Sequence, residues 1–183
     1  MKKLSLIIAA VAMSFMLFSC GGVSTKDAII NDVDNYFNQL EQKLGEINNA
    51  EDFLAFAEAT SDRSDLVNLL QEKYGDKTLS DEDNEAVQEF IQERATTYNQ
   101  AEAKKAAEFL TPLIEDYENA VNALYDGFNS DVDPDTFHAL TEAFEQAETA
   151  LRPFAEYDNV LPELQQRAQA AAAKLDEILV VVE

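Results

Sequence analysis

Residues 80–128 have the sequence SDEDNEAVQEFIQERATTYNQAEAKKAAEFLTPLIEDYENAVNALYDGF. Apolar residues recur along this stretch at alternating spacings of three and four, which places them on one face of a helix. Ser80 suits the helix N-cap, and the acids that follow it complement the positive end of the helix dipole. Pro112 lies inside the pattern without shifting it, so the segment predicts one long helix that is kinked at Pro112. Arg94 and Lys105 also stand in the stripe, and we expect their stems to pack while their charges reach water.

The segments before this helix repeat the same spacing. One stripe of apolar residues covers residues 29–47, and a second covers residues 53–74. The polar residues 61–65 are expected to interrupt the second stripe, and Gly75 is typical of a position just after a helix end. Two helical segments are therefore predicted upstream of residue 80.

The segment after the long helix is also helical in pattern. Asp133 and Pro134 suit a helix start, because aspartate caps the first turn and proline fits the first helical position. Pro153 and Pro162 are expected to kink or break the helical arm that follows. No segment alternates apolar and polar residues as a strand does. Residues 27–183 therefore predict an all-α domain, an elongated antiparallel bundle of about four long helices that are kinked at prolines.

Residues 1–19 differ from the rest of the chain. Lys2 and Lys3 form a basic start, and residues 4–18 are apolar except for two serines. A basic start followed by an apolar run of this length is typical of a cleaved signal peptide, and it is short for a membrane span of ~20 residues. The alternative is an uncleaved signal anchor.

The end of this segment carries a short motif, Leu17-Phe18-Ser19-Cys20, followed by Gly21-Gly22. It resembles the lipobox of bacterial lipoproteins, in which an aliphatic residue, a variable one and a small one precede the cysteine. The resemblance covers residues 1–20 and implies that Cys20 is acylated on sulfur after cleavage of residues 1–19. Because stable anchoring takes at least two acyl chains, a diacylated Cys20 would hold the chain on a membrane.

The residues after the cysteine bear on localisation. Residues 20–26 are predicted to be an acylated cysteine and a short tether to the helical domain. The acidic run that many surface-exported lipoproteins carry after the cysteine is not present here. The resemblance therefore favours the outer membrane facing the periplasm, with the cell surface as the alternative. Overall the chain is similar to small helical envelope lipoproteins.

The chain is strongly acidic, with 13 Lys and Arg against 36 Asp and Glu. Loss of Lys2 and Lys3 would leave 11 basic residues and a net charge of −25. Such a surface repels nucleic acid and anionic headgroups, so nucleic-acid binding is excluded. It would attract a basic partner or divalent cations. Cys20 is the single cysteine, so neither a disulfide nor a cysteine metal site is possible within the chain.

Four acids between two predicted helices suggest a calcium loop. Asp131, Asp133, Asp135 and Glu142 occupy positions one, three, five and twelve of an EF-hand-like spacing. Thr136 stands where that motif needs glycine for its sharp turn. The alternative is that Asp133 caps a helix and Asp135 complements its dipole, which needs no metal.

The sequence contains no recognisable catalytic set. It has one histidine, His138, and it lacks a Gly-rich phosphate loop, a nucleophile elbow and an HExxH motif. The chain is therefore expected not to be an enzyme and to need no cofactor, apart from the calcium candidate. The leading hypothesis is a membrane-anchored interaction or scaffold module that contacts an envelope protein. The alternatives are a protein that binds an apolar ligand between Phe-rich helices and a calcium-stabilised helical module.

Overall fold

The computed structural model describes residues 24–130 and 132–181, with side chains as far as residue 177. Within these ranges the regular structure is helical, and no strand is present, which confirms the all-α prediction. The elements are α1 (Thr25–Glu46), α2 (Ala50–Thr60), α3 (Ser64–Tyr74), α4 (Asp81–Phe128), α5 (Pro134–Leu151), a 3-10 turn (Arg152–Phe154) and α6 (Pro162–Val181). None of these helices is long and apolar enough to cross a membrane.

The predicted count of about four helices is wrong, because the described part of the chain has six. Two predicted helical arms are divided. The upstream arm breaks at Arg63, whose backbone adopts the left-handed conformation with φ of 54°. The downstream arm breaks where Pro153 falls in the 3-10 turn and Pro162 starts α6. Proline lacks the N–H that would continue a helix, and a left-handed residue reverses the local winding, so both features end helices.

The helix starts follow from local sequence. Small polar side chains accept hydrogen bonds from backbone N–H groups two or three residues later, as is usual at N-caps. The residues that do so are Ser24, Asn49, Ser80 and Asp133. Helix α4 is continuous through Pro112, as predicted. The lost hydrogen bond is tolerated where packing is dense, since Leu110 and Ile114 on either side of the proline are only 3% and 2% exposed.

The chain divides into two compact units, each with its own buried residues. The described part of unit 1 comprises residues 24–48 and 55–102. The stripe of α1 is fully buried in it, and each of its five residues is at most 6% exposed: Ile29, Val33, Phe37, Leu40 and Leu44. Further buried residues come from α3 (Leu66, Leu70) and α4 (Val87, Ile91, Tyr98). The rings of Phe37 and Tyr98 lie 6.0 Å apart.

The described part of unit 2 comprises residues 49–54, 103–130 and 132–181. Its most buried large side chain is Phe53, near the start of α2. The Phe53 ring lies 5.7 Å from Phe109, 6.5 Å from Phe154 and 5.3 Å from Tyr157. Helix α5 buries only Ala147 fully, while its larger apolar side chains remain half-buried. Unit 2 is therefore centred on α4, α6 and the Phe53 aromatic cluster.

Candidate functional site

The predicted anchor, Cys20, lies outside the described residues, and its acylation stays a prediction. The described chain begins four residues later at Ser24, whose Oγ accepts a hydrogen bond from the N–H of Asp27 at 3.1 Å. Helix α1 starts at Thr25. The first described helix therefore begins five residues after the predicted attachment point in the sequence.

The calcium candidates are not brought together in the part of the chain that is described. Asp131 lies outside that part. Asp133 caps α5, with Oδ1 accepting from the N–H groups of Asp135 and Thr136 and Oδ2 accepting from Thr136 Oγ1 at 2.7 Å. These hydrogen bonds, with that from the Thr136 hydroxyl the strongest, lower the pKa of Asp133.

Glu142 is nine residues beyond Asp133 along the helix, ~13 Å at 1.5 Å per residue. It lies 3.4 Å from His138 Nε2 instead. Among residues 24–130 and 132–181, no three His, Cys, Asp or Glu side chains are grouped to hold a metal ion. Calcium binding therefore stays a prediction, to be tested in solution.

Unit 1 contains a buried charged cluster that the sequence analysis missed. Arg63 is only 6% exposed, and its guanidinium lies 4.5 Å from the ring centre of Tyr98, where a cation is attracted by the ring face. The same guanidinium donates hydrogen bonds to the carbonyl oxygen of Thr60 and, at 3.2 Å, to Asn99 Oδ1. Arg63 thus joins the α2–α3 turn to the middle of α4.

A buried carboxyl group lies in the same region. Glu102, one turn after Tyr98 on α4, is only 6% exposed. Burial, and then the charge of Glu102, raise the pKa of Tyr98 to about 12, although the charge of Arg63 acts in the opposite direction. Tyr98 is therefore neutral at physiological pH. The contacts of Arg63 with Tyr98 and Asn99 hold the α2–α3 turn against α4, with the buried carboxyl group of Glu102 nearby. The arrangement is better explained by its effect on stability than by a reaction.

The sequence carried no signal for this cluster. Arg63 stands in the polar stretch at residues 61–65, which periodicity assigns to the surface. Of its partners, only Tyr98 was on a predicted apolar stripe. The left-handed φ of Arg63 is the sole positive φ among the described non-glycine residues, and such a conformation persists only where surrounding contacts determine it.

Arg94 and Lys105 are the two charged residues in the apolar stripe of α4, and their charges were predicted to reach water. The structure shows a different arrangement. Arg94 is held by three polar side chains spaced four and three residues apart on α1, Asp34 (2.9 Å), Asn38 (2.8 Å) and Glu41 (3.3 Å). The Arg94 side chain is 15% exposed, and that of Lys105, which pairs with Glu108 at 2.7 Å, is 14% exposed. Both charges are met by protein groups more than by water.

A second polar network joins α1 and α3 at one end of unit 1. Asp32 Oδ2 accepts hydrogen bonds from the Tyr74 hydroxyl at 2.7 Å and from Lys73 Nζ at 3.0 Å. The tyrosine hydrogen bond, followed by that of the lysine, lowers the pKa of Asp32 below its usual value despite some burial. Burial, followed by the hydrogen bond and charge of Asp32, raises the pKa of Tyr74 to about 12.

Acidic side chains without nearby basic residues in sequence are concentrated in unit 2. Residues 106–151 contain no Lys or Arg and eleven Asp or Glu: Glu108, Glu115, Asp116, Glu118, Asp126, Asp131, Asp133, Asp135, Glu142, Glu145 and Glu148. Some of them are paired with basic residues outside this stretch. Lys105 pairs with Glu108 at 2.7 Å. Arg167 on α6 bonds both carboxylate oxygens of Glu118, at 2.9 and 2.6 Å, and lies 3.9 Å from Glu115. On α5, Glu142, Glu145 and Glu148 are exposed. A surface of this kind suits a cationic partner.

Comparison with known proteins gave no relatives. No protein-family model, no curated protein and no solved structure matches the chain significantly.

Proposed function

We propose that the chain is a membrane-anchored lipoprotein of the bacterial envelope that acts as a non-enzymatic interaction or scaffold module. The observation that carries this proposal is the lipobox-like Leu17-Phe18-Ser19-Cys20 placed four residues before the folded domain. Acylation of Cys20 would tie the domain to the membrane with only three residues between Cys20 and Ser24. The outer membrane, facing the periplasm, is the proposed location. The elongated antiparallel bundle predicted from the sequence remains part of the proposal.

The distribution of charge supports an interaction role. Arg63 and Arg94 are largely buried, and Arg167 is paired with Glu118, so none of the three is a free cation that a basic partner would meet. The exposed acids would steer a basic partner toward the domain and repel nucleic acid. The buried charged cluster around Arg63 is explained by fold stability and requires no substrate.

In-cell crosslinking tests this proposal most directly. A tagged wild-type chain and its Cys20→Ala variant are expressed in the native host, crosslinked in living cells and purified, and the captured proteins are identified by mass spectrometry. We expect mass spectrometry of the intact wild-type protein to show acyl chains on Cys20, and crosslinking to capture a discrete envelope protein. The Cys20→Ala variant should lose both. An unacylated wild-type chain, or a robust hydrolytic activity of the purified domain, would contradict the proposal.

The apolar-ligand alternative has less support. The buried aromatic rings of unit 2 pack on one another, with Phe53 in contact with three of them, so core packing accounts for them. A shallow, open surface depression of about 540 Å³ on α5 is lined by Glu142, Glu145, Gln146, Thr149 and Ala150, none of which is aromatic. Native mass spectrometry of protein purified from its own host separates the two functions, since only the alternative predicts a bound small molecule.

A further inference from the structure

We propose that one end of unit 1, here called the anchor end, rests on the lipid headgroups of the membrane that holds Cys20. The anchor end comprises the first turn of α1, the connection at residues 75–80 and the first turn of α4. This inference deepens the proposed function and rests on its lipid anchor. It adds the surface that faces the membrane and the reason for that orientation.

Contacts within unit 1 establish that these three segments lie together. Lys26 Nζ, in the first turn of α1, lies 3.1 Å from Asp83 Oδ1, in the first turn of α4. Tyr74, the last residue of α3, bonds Asp32, six residues or nearly two turns beyond Lys26 on α1. The connection between α3 and α4 is held to the unit by Leu79, which is 7% exposed. The start of α1 therefore belongs to a formed surface.

The length of the tether fixes how far this surface can be from the bilayer. Ser24 is four residues after Cys20, and a fully extended chain spans at most ~3.5 Å per residue step, which gives ~14 Å for the four steps. Acyl chains inserted in the bilayer keep Cys20 at headgroup level. The anchor end must then remain within ~14 Å of the headgroups. Lys43, 17 residues beyond Lys26 on α1, is ~25 Å further along the helix axis and is free of this limit.

The chemistry of the anchor end suits a neutral headgroup surface. Lys26 and Lys77 of the anchor end, and Lys73 in the last turn of α3 beside it, have side chains that are 33%, 50% and 49% exposed, whereas Arg63 and Arg94 of the same unit are largely buried. These lysines can reach lipid phosphates. Each also pairs with a carboxylate, on Asp83, Asp32 and Asp76 respectively. Asp27, Asp81 and Glu82 add further negative charge at this end. Anionic lipid would therefore not attract the anchor end, and it is the tether to Cys20 that keeps the anchor end close to the membrane.

Position-specific quenching tests the inference on the acylated full-length protein in phosphatidylcholine vesicles that contain a nitroxide-headgroup lipid. Cys20 is the single cysteine and its sulfur carries the lipid, so an introduced cysteine is the one free thiol for a fluorescent label. The matched pair is Lys77→Cys at the anchor end and Lys43→Cys toward the far end of α1. Both substitutions remove one exposed lysine. We expect strong quenching at residue 77 and little at residue 43, because Lys43 lies ~25 Å along the α1 axis from Lys26, which is at the anchor end.

A longer tether provides the second arm. Insertion of 20 Gly/Ser residues after Gly22 adds a flexible chain with an end-to-end distance of ~25 Å. Quenching at residue 77 should then fall to the level at residue 43. Equal quenching at both positions of the anchored protein, or no effect of the insertion, would overturn the inference. Failure of the wild-type chain to co-float with vesicles would instead remove the anchor itself, and with it the proposed function. Stronger quenching at residue 77 on anionic vesicles than on phosphatidylcholine vesicles would show that the anchor end binds lipid electrostatically, and it would contradict the argument from the tether.

Discussion

Replacement of Phe53 by alanine is expected to be among the most damaging single changes in unit 2. The Phe53 side chain is 0% exposed and contacts three other aromatic rings at centroid distances of 5.3 to 6.5 Å. Truncation of a buried phenylalanine removes its transfer free energy and leaves a cavity, which costs about 4 kcal/mol. A loss of this size is a large part of the net unfolding free energy of a typical domain, which is roughly 5–15 kcal/mol.

The same helix offers a matched control. Phe56 stands three residues later on α2 and is only half-buried, so Phe56→Ala should cost about 1 kcal/mol. Guanidinium unfolding followed by circular dichroism at helical wavelengths measures both. With a slope of about 4 kcal/mol per molar denaturant, Phe53→Ala should lower the midpoint by about 1 M. If Phe53→Ala lowers the unfolding free energy no more than Phe56→Ala does, the central place of Phe53 in unit 2 is refuted.

Three further predictions concern polar residues. Because folding lowers the pKa of Asp32, its ionised carboxylate stabilises the fold fully above the ordinary value of 3.8, and this stabilisation is lost as the pH falls through the folded-state pKa. Below pH 3.8, the unfolding free energy of Asp32→Asn should therefore fall less steeply with decreasing pH than that of wild type. Arg63→Gly should be less destabilising than Arg63→Ala by about 1 kcal/mol in thermal unfolding, because glycine tolerates the positive φ and both variants lose the guanidinium contacts; equal values would contradict this account. The calcium hypothesis predicts that millimolar calcium raises the melting temperature and that Asp133→Asn combined with Glu142→Gln abolishes the rise. An unchanged wild-type melting curve would end that hypothesis and leave Asp133 as a helix cap.

Much of the secondary structure was predictable because it is decided locally. The continuous helix across Pro112, the interruption near residues 61–65 and the caps at Ser80 and Asp133 all depend on side chains within a few residues of the feature. The helix count was not predictable in the same way. Whether a polar stretch or a proline pair kinks a helix or ends it depends on how the neighbouring backbone is held.

The polar contacts of the interior were largely invisible from the sequence. Periodicity identified Arg94 as an anomaly in an apolar stripe, but it could not show that Asp34, Asn38 and Glu41 would receive its charge, since they precede it by more than 50 residues. Arg63 gave no signal at all. Ion pairs and cation–π contacts form between residues that tertiary packing brings together, and spacing along the chain carries no information about them.

The sequence by itself determined the helical class, the starts of α4 and α5 and the acidic charge, because these depend on side-chain periodicity, local capping and composition. It also supplied the lipobox-like segment on which the proposed anchoring rests. Only the tertiary structure decided that Phe53 belongs with Phe154 and Tyr157, that Arg63 is buried over Tyr98, and that the first turns of α1 and α4 share one surface. The reason is physical: burial is the removal of a side chain from water by residues remote in sequence, and amphipathic stripes specify which face is buried without specifying its neighbour.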